Sequence, residues 1–302
     1  MLKLIASDMD GTLLNEKMAI SETNAQAIQK AQQEGIHFIV ATGRGYEQAV
    51  PLLEEVGLSC PIIALNGAQL FDESGKLIYS RGIEKQQVRD LLAMIDAIGA
   101  HGEIMTTSGI FSDNREKRLE SIGQMLMELN PNVTFEEALE YSRERLEELH
   151  ISFVNNYEEI LQQDDVAVLK VSAFHRDGEV ILEPLQAAIE SEHTDLSVTS
   201  SHFSNLEINH ASAQKGIALE EYAKTLGIEA EEVLAIGDNI NDLSMLEWAG
   251  YSFAVDNARI EAKRAARYHT SSNVENGVAE AISRVMQNQL VEQPAVGRTI
   301  DN

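Results

Sequence analysis

The stretch that decides the fold lies at the start of the chain, where an apolar run over residues 2–6 leads into SDMDGTLL at residues 7–14. A short apolar run with a glycine just after a second aspartate is typical of a buried strand that ends in a turn. In an open α/β sheet, ligands bind at the carboxyl ends of such strands. Asp8 and Asp10 would repel each other there unless a cation lies between them or one of them stays protonated. A hard divalent metal is the simplest of these explanations.

A bare pair of aspartates also has a plainer explanation, an Asx turn that closes the strand. Gly11, Thr12 and several later motifs favour the metal site over that turn. The interpretation therefore depends on what the rest of the chain brings to the same edge of the sheet.

The composition limits the class of protein. With 302 residues, the chain exceeds the usual size of a single core, so we expect two domains. No window approaches the length of apolar membrane spans, and no basic segment precedes an apolar stretch at the N-terminus, so we expect a cytoplasmic protein without membrane contact. Cys60 is the only cysteine, which excludes an internal disulfide and a cysteine-based metal cluster. The oligomeric state is left open.

The net charge of −26 disfavours nucleic acid as a partner. An acidic surface also repels phosphorylated small molecules. A phosphate site in this chain would therefore need cations of its own.

Apolar strand-like runs alternate with helix-like segments, which predicts a doubly wound, parallel, Rossmann-like α/β sheet. The runs cover residues 3–7, 37–42, 62–66, 233–238 and 252–255. Between the runs at 62–66 and 233–238, the regular alternation gives way to mixed helices and strands, with one strand predicted at residues 180–182. We interpret residues 83–194 as an inserted α+β cap domain, residues 1–82 and 195–289 as the two parts of the core, and residues 290–302 as a disordered tail.

Further polar motifs follow predicted strands or open a predicted helix: ATGR at residues 41–44, Lys215, and GDNIND at residues 237–242. In an α/β sheet these positions converge on one edge. The helix dipole disfavours a lysine at a helix start, so Lys215 indicates a nearby anion, although a solvent-facing lysine is the plainer alternative. Aspartate and asparagine oxygens suit Mg²⁺.

Taken together, the motifs DMDGTL (8–13), TGR (42–44), NGA (66–68), KG (215–216) and GDNIND (237–242) resemble the haloacid dehalogenase superfamily of phosphatases in order and spacing. The resemblance is to its Cof-type branch in particular, which carries a large α/β cap between the second and third motifs. It covers the core and the position of the cap, whose own sequence carries no motif that can be matched.

The resemblance implies roles for the motif residues. Asp8 would be the nucleophile and Asp10 the general acid and base. The phosphate would be bound by Met9, Thr42, Gly43, Lys215 and Asn241. Mg²⁺ would be held by Asp8, Asp10, Asp238 and Asn239, with Asp242 supporting these ligands without contacting the metal.

The chemistry of the residues agrees with those roles. A carboxylate can attack phosphorus and form an aspartyl phosphate, which splits one difficult hydrolysis into two easier steps. We therefore expect a Mg²⁺-dependent phosphatase for a small phosphorylated metabolite such as a sugar phosphate. A phosphomutase or phosphotransferase acting on phosphosugars is the alternative. A non-catalytic binding protein on this fold is disfavoured because Asp8, Asp10, Lys215 and Asp238 are all present, and a dehalogenase is disfavoured because Asp10 and Asp238 would be superfluous.

Overall fold

The protein folds into two compact units, described here from a computed structural model of residues 1–129, 133–148, 151–200 and 203–290. The first unit comprises residues 1–79 and the chain from Ala213 onward, and the second is Ser80–Ser212. Of the predicted disordered tail, residues 291–302 lie outside the described residues. Within the described ranges, no helix combines the length and apolar character needed to cross a membrane.

The strands in chain order are β1 (Leu4–Ser7), β2 (His37–Ala41), β3 (Ile62–Ala64), β4 (Gln69–Phe71), β5 (Leu77–Ser80), β6 (His101–Thr106), β7 (Gly109–Ser112), β8 (Ile151–Phe153), β9 (Val168–Phe174), β10 (Leu196–Thr199), β11 (Asn205–His210), β12 (Val233–Gly237), β13 (Tyr251–Val255) and β14 (Tyr268–Thr270). The helices are α1 (Glu22–Gln33), α2 (Tyr46–Glu54), α3 (Lys85–Ala97), α4 (Arg115–Leu129), α5 (Phe135–Glu148), α6 (Glu158–Leu161), α7 (Glu179–Glu192), α8 (Lys215–Thr225), α9 (Leu243–Trp248), α10 (Ile260–Ala265) and α11 (Gly277–Met286). The described strands form two sheets.

The sheet of the first unit has the strand order β14-β13-β12-β1-β2-β3-β4-β5. The strands from β14 to β3 pair in parallel, and β4 pairs antiparallel to β3. Leu4, Ile5 and Ala6 in the central strand β1 are fully buried, as expected for a parallel strand covered on both faces. This arrangement confirms the predicted fold class. It also places the ends of β12, β1 and β2 side by side, so the three motifs that follow these strands meet at one edge.

The second unit contains a six-stranded sheet in the order β10-β11-β9-β6-β7-β8. The strands β10 and β11 lie past the predicted end of the cap at residue 194, but β11 pairs antiparallel with β9 and so completes this sheet. The second unit therefore extends further than the predicted segment 83–194 at its C-terminal side.

The prediction of a strand at residues 180–182 is wrong, because these residues lie in the first turn of α7. β-branched side chains at Val180 and Ile181 favour a strand locally. Leu182, Leu185 and Ile189 are buried at helical spacing, so packing of the helix face overrides that local preference.

Helix α8, which carries Lys215 at its first position, packs closely against the start of α9. Gly216 makes this possible, because an added Cβ would lie 2.3 Å from the backbone oxygen of Ser244 and 2.4 Å from its carbonyl carbon. The Gly216 N–H also donates a 2.9 Å hydrogen bond to Ser244 Oγ. The start of α8 is therefore fixed against the first turn of α9, which directly follows the GDNIND segment.

We predict that Gly216→Ala lowers the free energy of unfolding by about 3 kcal/mol, because backbone must move to admit the methyl group. The matched control is Gly123→Ala in α4, where the new Cβ would be 3.6 Å from Ser142 Oγ, an ordinary contact. There the better helix propensity of alanine, worth about 1 kcal/mol, gives an unchanged or higher stability. Urea denaturation measures both; equal effects of the two substitutions would contradict the packing argument.

Candidate active site

The first motif follows β1 as a turn over Met9–Leu13, which a 2.9 Å hydrogen bond from Leu14 N to Met9 O closes. The backbone of Asp10 and Gly11 within this turn is not helical. Asp8 directly precedes this turn and is only 4% exposed. Gly11 has a φ of +79°, and a Cβ at this position would lie 2.6 Å from Asp238 Oδ2. The glycine is therefore needed both for its backbone conformation and for the close approach of the first and fourth motifs.

Lys215 joins two carboxylates in the interior. Its ammonium Nζ donates hydrogen bonds of 2.5 Å to Asp8 Oδ1 and 2.6 Å to Asp242 Oδ1, and the side chain is fully buried. Burial opposes the charge on Lys215, but the Asp242 and Asp8 carboxylates outweigh it and raise the pKa of the lysine. The ammonium is therefore charged at neutral pH and is held by two carboxylates rather than exposed to solvent.

The fourth motif is organised around Asp242. Its Oδ2 accepts hydrogen bonds from the backbone N–H groups of Asp238 at 2.8 Å and Asn239 at 3.0 Å, while its Oδ1 accepts the bond from Lys215. Both carboxylate oxygens of Asp242 thus have partners within the protein. The Asp238 carboxylate accepts a 2.8 Å hydrogen bond from the Thr12 hydroxyl, which ties it to the first motif.

Acidic groups are crowded in this region. Burial raises the pKa of Asp8 well above its usual range; Lys215 opposes this increase and the Asp242 carboxylate adds to it. Burial and the neighbouring Asp242 carboxylate likewise raise the pKa of Asp238 to about 7. A further positive charge beside Asp8 and Asp238 would relieve this repulsion.

A divalent cation fits the donor set. One carboxylate oxygen from each of Asp8, Asp238 and Asp242 lies within 4.8 Å of the others. Because Asp242 is committed to Lys215 and to two amides, Asp8 and Asp238 are the carboxylates best placed to bind a metal. Asn239 Oδ1 accepts a 2.8 Å hydrogen bond from Ile240 N, so the structure uses that oxygen within its own turn. Carboxylate oxygens are the ligands that Mg²⁺ prefers.

Asp10 lies opposite Arg44 of the second motif. The guanidinium donates from Nε to Asp10 Oδ2 at 2.7 Å and from Nη2 to Asp10 Oδ1 at 2.6 Å. Burial opposes the charge on Arg44, but this bidentate hydrogen bonding raises the pKa of the guanidinium. The pair therefore fixes the direction of the Asp10 carboxylate.

The remaining predicted phosphate ligands are Thr42 and Gly43 in the turn after β2, Asn241 in the fourth motif and Met9 in the first motif. Thr42 is fully buried, its Oγ1 accepts a 3.1 Å hydrogen bond from Arg44 N, and Gly43 lies between the two. Asn241 Nδ2 donates to Asn66 Oδ1 at 3.2 Å, and Asn66 N donates to Thr42 O at 2.9 Å, which links the fourth motif to this turn. The side chain of Met9 packs in the apolar core, so a contact of Met9 with phosphate would use its backbone N–H.

The structure thus brings Asp8, Lys215, Asp238 and Asp242 into one cluster. Sequence reasoning assigned no role to three residues that hold this site together: Thr12, Arg44 and Asn66. All three lie inside the motifs that carry the resemblance. Their position next to assigned residues was the available signal, but their hydrogen-bond partners lie far away along the chain.

Known proteins match this chain along most of its length. The family profile of haloacid dehalogenase-like hydrolases matches residues 5–282. Phosphatase YwpJ of Bacillus subtilis is 32% identical over 94% of this chain and all of its own length. A second B. subtilis relative, the 5-amino-6-(5-phospho-D-ribitylamino)uracil phosphatase YwtE, is 32% identical over 95% of this chain and 99% of its own.

A solved structure of a haloacid dehalogenase-like hydrolase from B. subtilis superimposes with a TM-score of 0.83. It is 32% identical in sequence and covers 94% of this chain and 100% of its own. Because the family match includes all the motifs that meet at the sheet edge, the chain belongs to the haloacid dehalogenase-like hydrolases, as a phosphatase of their Cof-type branch.

Proposed function

We propose that this protein hydrolyses the phosphate monoester of a small metabolite through an aspartyl-phosphate intermediate and depends on Mg²⁺. The observation that carries the proposal is the buried ammonium of Lys215, 2.5 Å from Asp8 Oδ1. A buried cation bonded to one carboxylate in a crowded acidic cluster favours the ionised form of that carboxylate against the effect of burial, and it offsets the repulsion between the carboxylate and an anionic phosphate. A solvated structural lysine would do neither.

In the first step, a carboxylate oxygen of Asp8 attacks phosphorus, and the bond between phosphorus and the ester oxygen breaks. The electron pair leaves with the ester oxygen, which takes a proton from Asp10. In the second step, water attacks phosphorus while Asp10 accepts its proton, and Asp8 departs as a carboxylate. The products are an alcohol and orthophosphate, and both aspartates return to their starting states.

Arg44 restricts when Asp10 can act as a proton donor. Because both oxygens of Asp10 accept hydrogen bonds from Arg44, at least one bond has to break before Asp10 can donate a proton to the ester oxygen. We infer that Arg44 orients Asp10 between turnovers. Thr42, Gly43, Asn241 and the Met9 amide are proposed to bind the phosphate oxygens.

We assign the metal to Asp8, the backbone carbonyl of Asp10, and Asp238, with Asn239 as a further candidate. When bound, Mg²⁺ would neutralise charge on the transferring phosphoryl group. Asp242 would act through its bonds to Lys215 and to the amides of Asp238 and Asn239, which hold the turn in place.

The substrate is proposed to be a sugar phosphate or a similar phosphorylated compound. The relative YwtE is named for a substrate with a phosphate on a ribityl chain, which is of this class. The first experiment is orthophosphate release from a panel of phosphorylated metabolites with Mg²⁺. Release of orthophosphate supports hydrolysis, whereas an isomerised phosphosugar without free orthophosphate would favour the phosphomutase alternative.

We propose that the second unit determines which leaving groups the enzyme accepts, because every motif residue lies in the first unit. Replacing Ser80–Ser212 by the corresponding segment of YwtE is then expected to shift the order of preferred substrates towards that of YwtE. Values of kcat/KM across the panel measure this. An unchanged order in a folded chimera would contradict the assignment.

We predict that Asp8→Asn lowers kcat by at least about a thousandfold, because an amide cannot form the acyl phosphate. The asparagine oxygen can still accept from Lys215, and one crowded negative charge is lost, so the melting midpoint is expected to stay the same or rise. Asp96→Asn, at an exposed position of α3, is the control and should leave kcat unchanged. Substantial turnover by pure Asp8→Asn protein would refute the nucleophile assignment.

We also predict that a chelator abolishes activity, that Mg²⁺ restores it, and that Ca²⁺ binds without restoring it. Mg²⁺ favours one oxygen per carboxylate, whereas Ca²⁺ takes about 6–8 oxygens and often binds carboxylates through both. Ca²⁺ would therefore occupy the oxygen of Asp8 that has to attack. Phosphate release is measured with each ion and with Ca²⁺ titrated against fixed Mg²⁺; full activity in the chelator would contradict the metal dependence.

A further inference from the structure

Two asparagines from a distant part of the chain hold the backbone of the turn that carries Asp10 and Thr12. Asn257 Nδ2 donates a 2.7 Å hydrogen bond to Gly11 O. Asn273 Nδ2 donates a 2.8 Å hydrogen bond to Leu14 O. The motifs assign no role to either residue.

The two asparagines are also joined to each other. Asn257 Oδ1 accepts a 2.9 Å hydrogen bond from the backbone N–H of Asn273. Both ends of the Asn257 amide are therefore used, which fixes its orientation. We call this pair the asparagine clamp.

The position of Asn257 follows from the strand order. It lies in the loop after β13, and β12 separates β13 from β1. The loop therefore reaches past the end of β12, a distance of about 10 Å for two strand spacings, to contact the turn after β1. The same loop holds the end of β12, because Arg259 N donates a 2.9 Å hydrogen bond to Asp238 O.

The carbonyl that Asn257 holds is well placed to affect the site. Gly11 lies between Asp10 and Thr12, and Thr12 donates to Asp238 Oδ1. Gly11 also lies against Asp238, in a left-handed conformation that a glycine backbone can easily leave. A shift of this peptide would move Asp10 on one side and the Thr12–Asp238 hydrogen bond on the other.

We propose that Asn257 and Asn273 are positioning residues for the reaction: by fixing the Gly11 and Leu14 carbonyls, they set the placement of Asp10 and Thr12 relative to Asp8. The proposal rests on the proposed phosphatase function. Neither asparagine touches the reacting atoms. Asn257 is exposed, so its hydrogen bond contributes little to global stability.

The test compares Asn257→Ala and Asn273→Ala with a control, Gln33→Ala. Gln33, the last residue of α1, lies in the first unit, is also exposed, and has no side-chain hydrogen bond assigned to it within the described part of the chain. In Asn273→Ala, the backbone N–H that binds Asn257 is retained, so only the bond to Leu14 O is lost. The measurements are kcat, KM, the melting midpoint, and hydrogen–deuterium exchange of the peptide covering residues 8–14.

We expect each clamp variant to lose about tenfold in kcat with KM changed less than about twofold. The melting midpoint should stay within about 4 °C, and exchange in residues 8–14 should be faster. Gln33→Ala should match the wild type throughout. Unchanged kcat and unchanged exchange would overturn the proposal, as would a loss of kcat that only follows a large fall in the melting midpoint.

The two proposals fail in different ways. If the wild-type protein released no orthophosphate from any substrate, the proposed function would fail, and exchange in residues 8–14 would still decide whether the clamp orders the turn. If the wild type is active and the clamp variants equal it, only the clamp fails.

Discussion

The site depends on one buried charge, the ammonium of Lys215 between the carboxylates of Asp8 and Asp242. A buried ammonium without partners would lose its proton or destabilise the fold, and a buried carboxylate without partners would take up a proton or destabilise the fold. Here the ammonium is stabilised by the two carboxylates, and it offsets part of their mutual repulsion. The position of Lys215 at the start of α8, and the close packing that Gly216 permits, are therefore conditions for the rest of the site.

Topology explains how residues more than two hundred positions apart come together. Strand β1 lies between β12 and β2 in a parallel sheet, so the chain leaves all three strands at the same edge. The hydrogen bond from Thr12 to Asp238 and the Arg44–Asp10 ion pair then cross between neighbouring strand ends, and the bond from Asn241 to Asn66 joins the segments that follow β12 and β3. Each crossing fixes one motif against another, which is how a set of loops can hold charged groups in a defined arrangement.

The sequence predicted what depends on local pattern and on the motifs. Apolar runs located β1, β2 and β12, and the parallel α/β class followed from their alternation with helices. The pattern failed where packing overrides local preference, as at Val180 and Ile181, which lie in α7. It could not assign partners to Arg44, Thr12 or Asn257, because each of these side chains meets a group supplied by another strand end. The roles of the motif residues in catalysis stay predictions.

The central claim is that Asp8 attacks phosphorus and is released in a second displacement. The most direct measurement is the stereochemical course at phosphorus, using a monoester substrate made chiral by oxygen isotopes and sulfur and hydrolysed in labelled water. Two successive in-line displacements, each with inversion, predict net retention of configuration. Net inversion would mean that water attacks the substrate directly, and it would contradict the role of Asp8 as nucleophile.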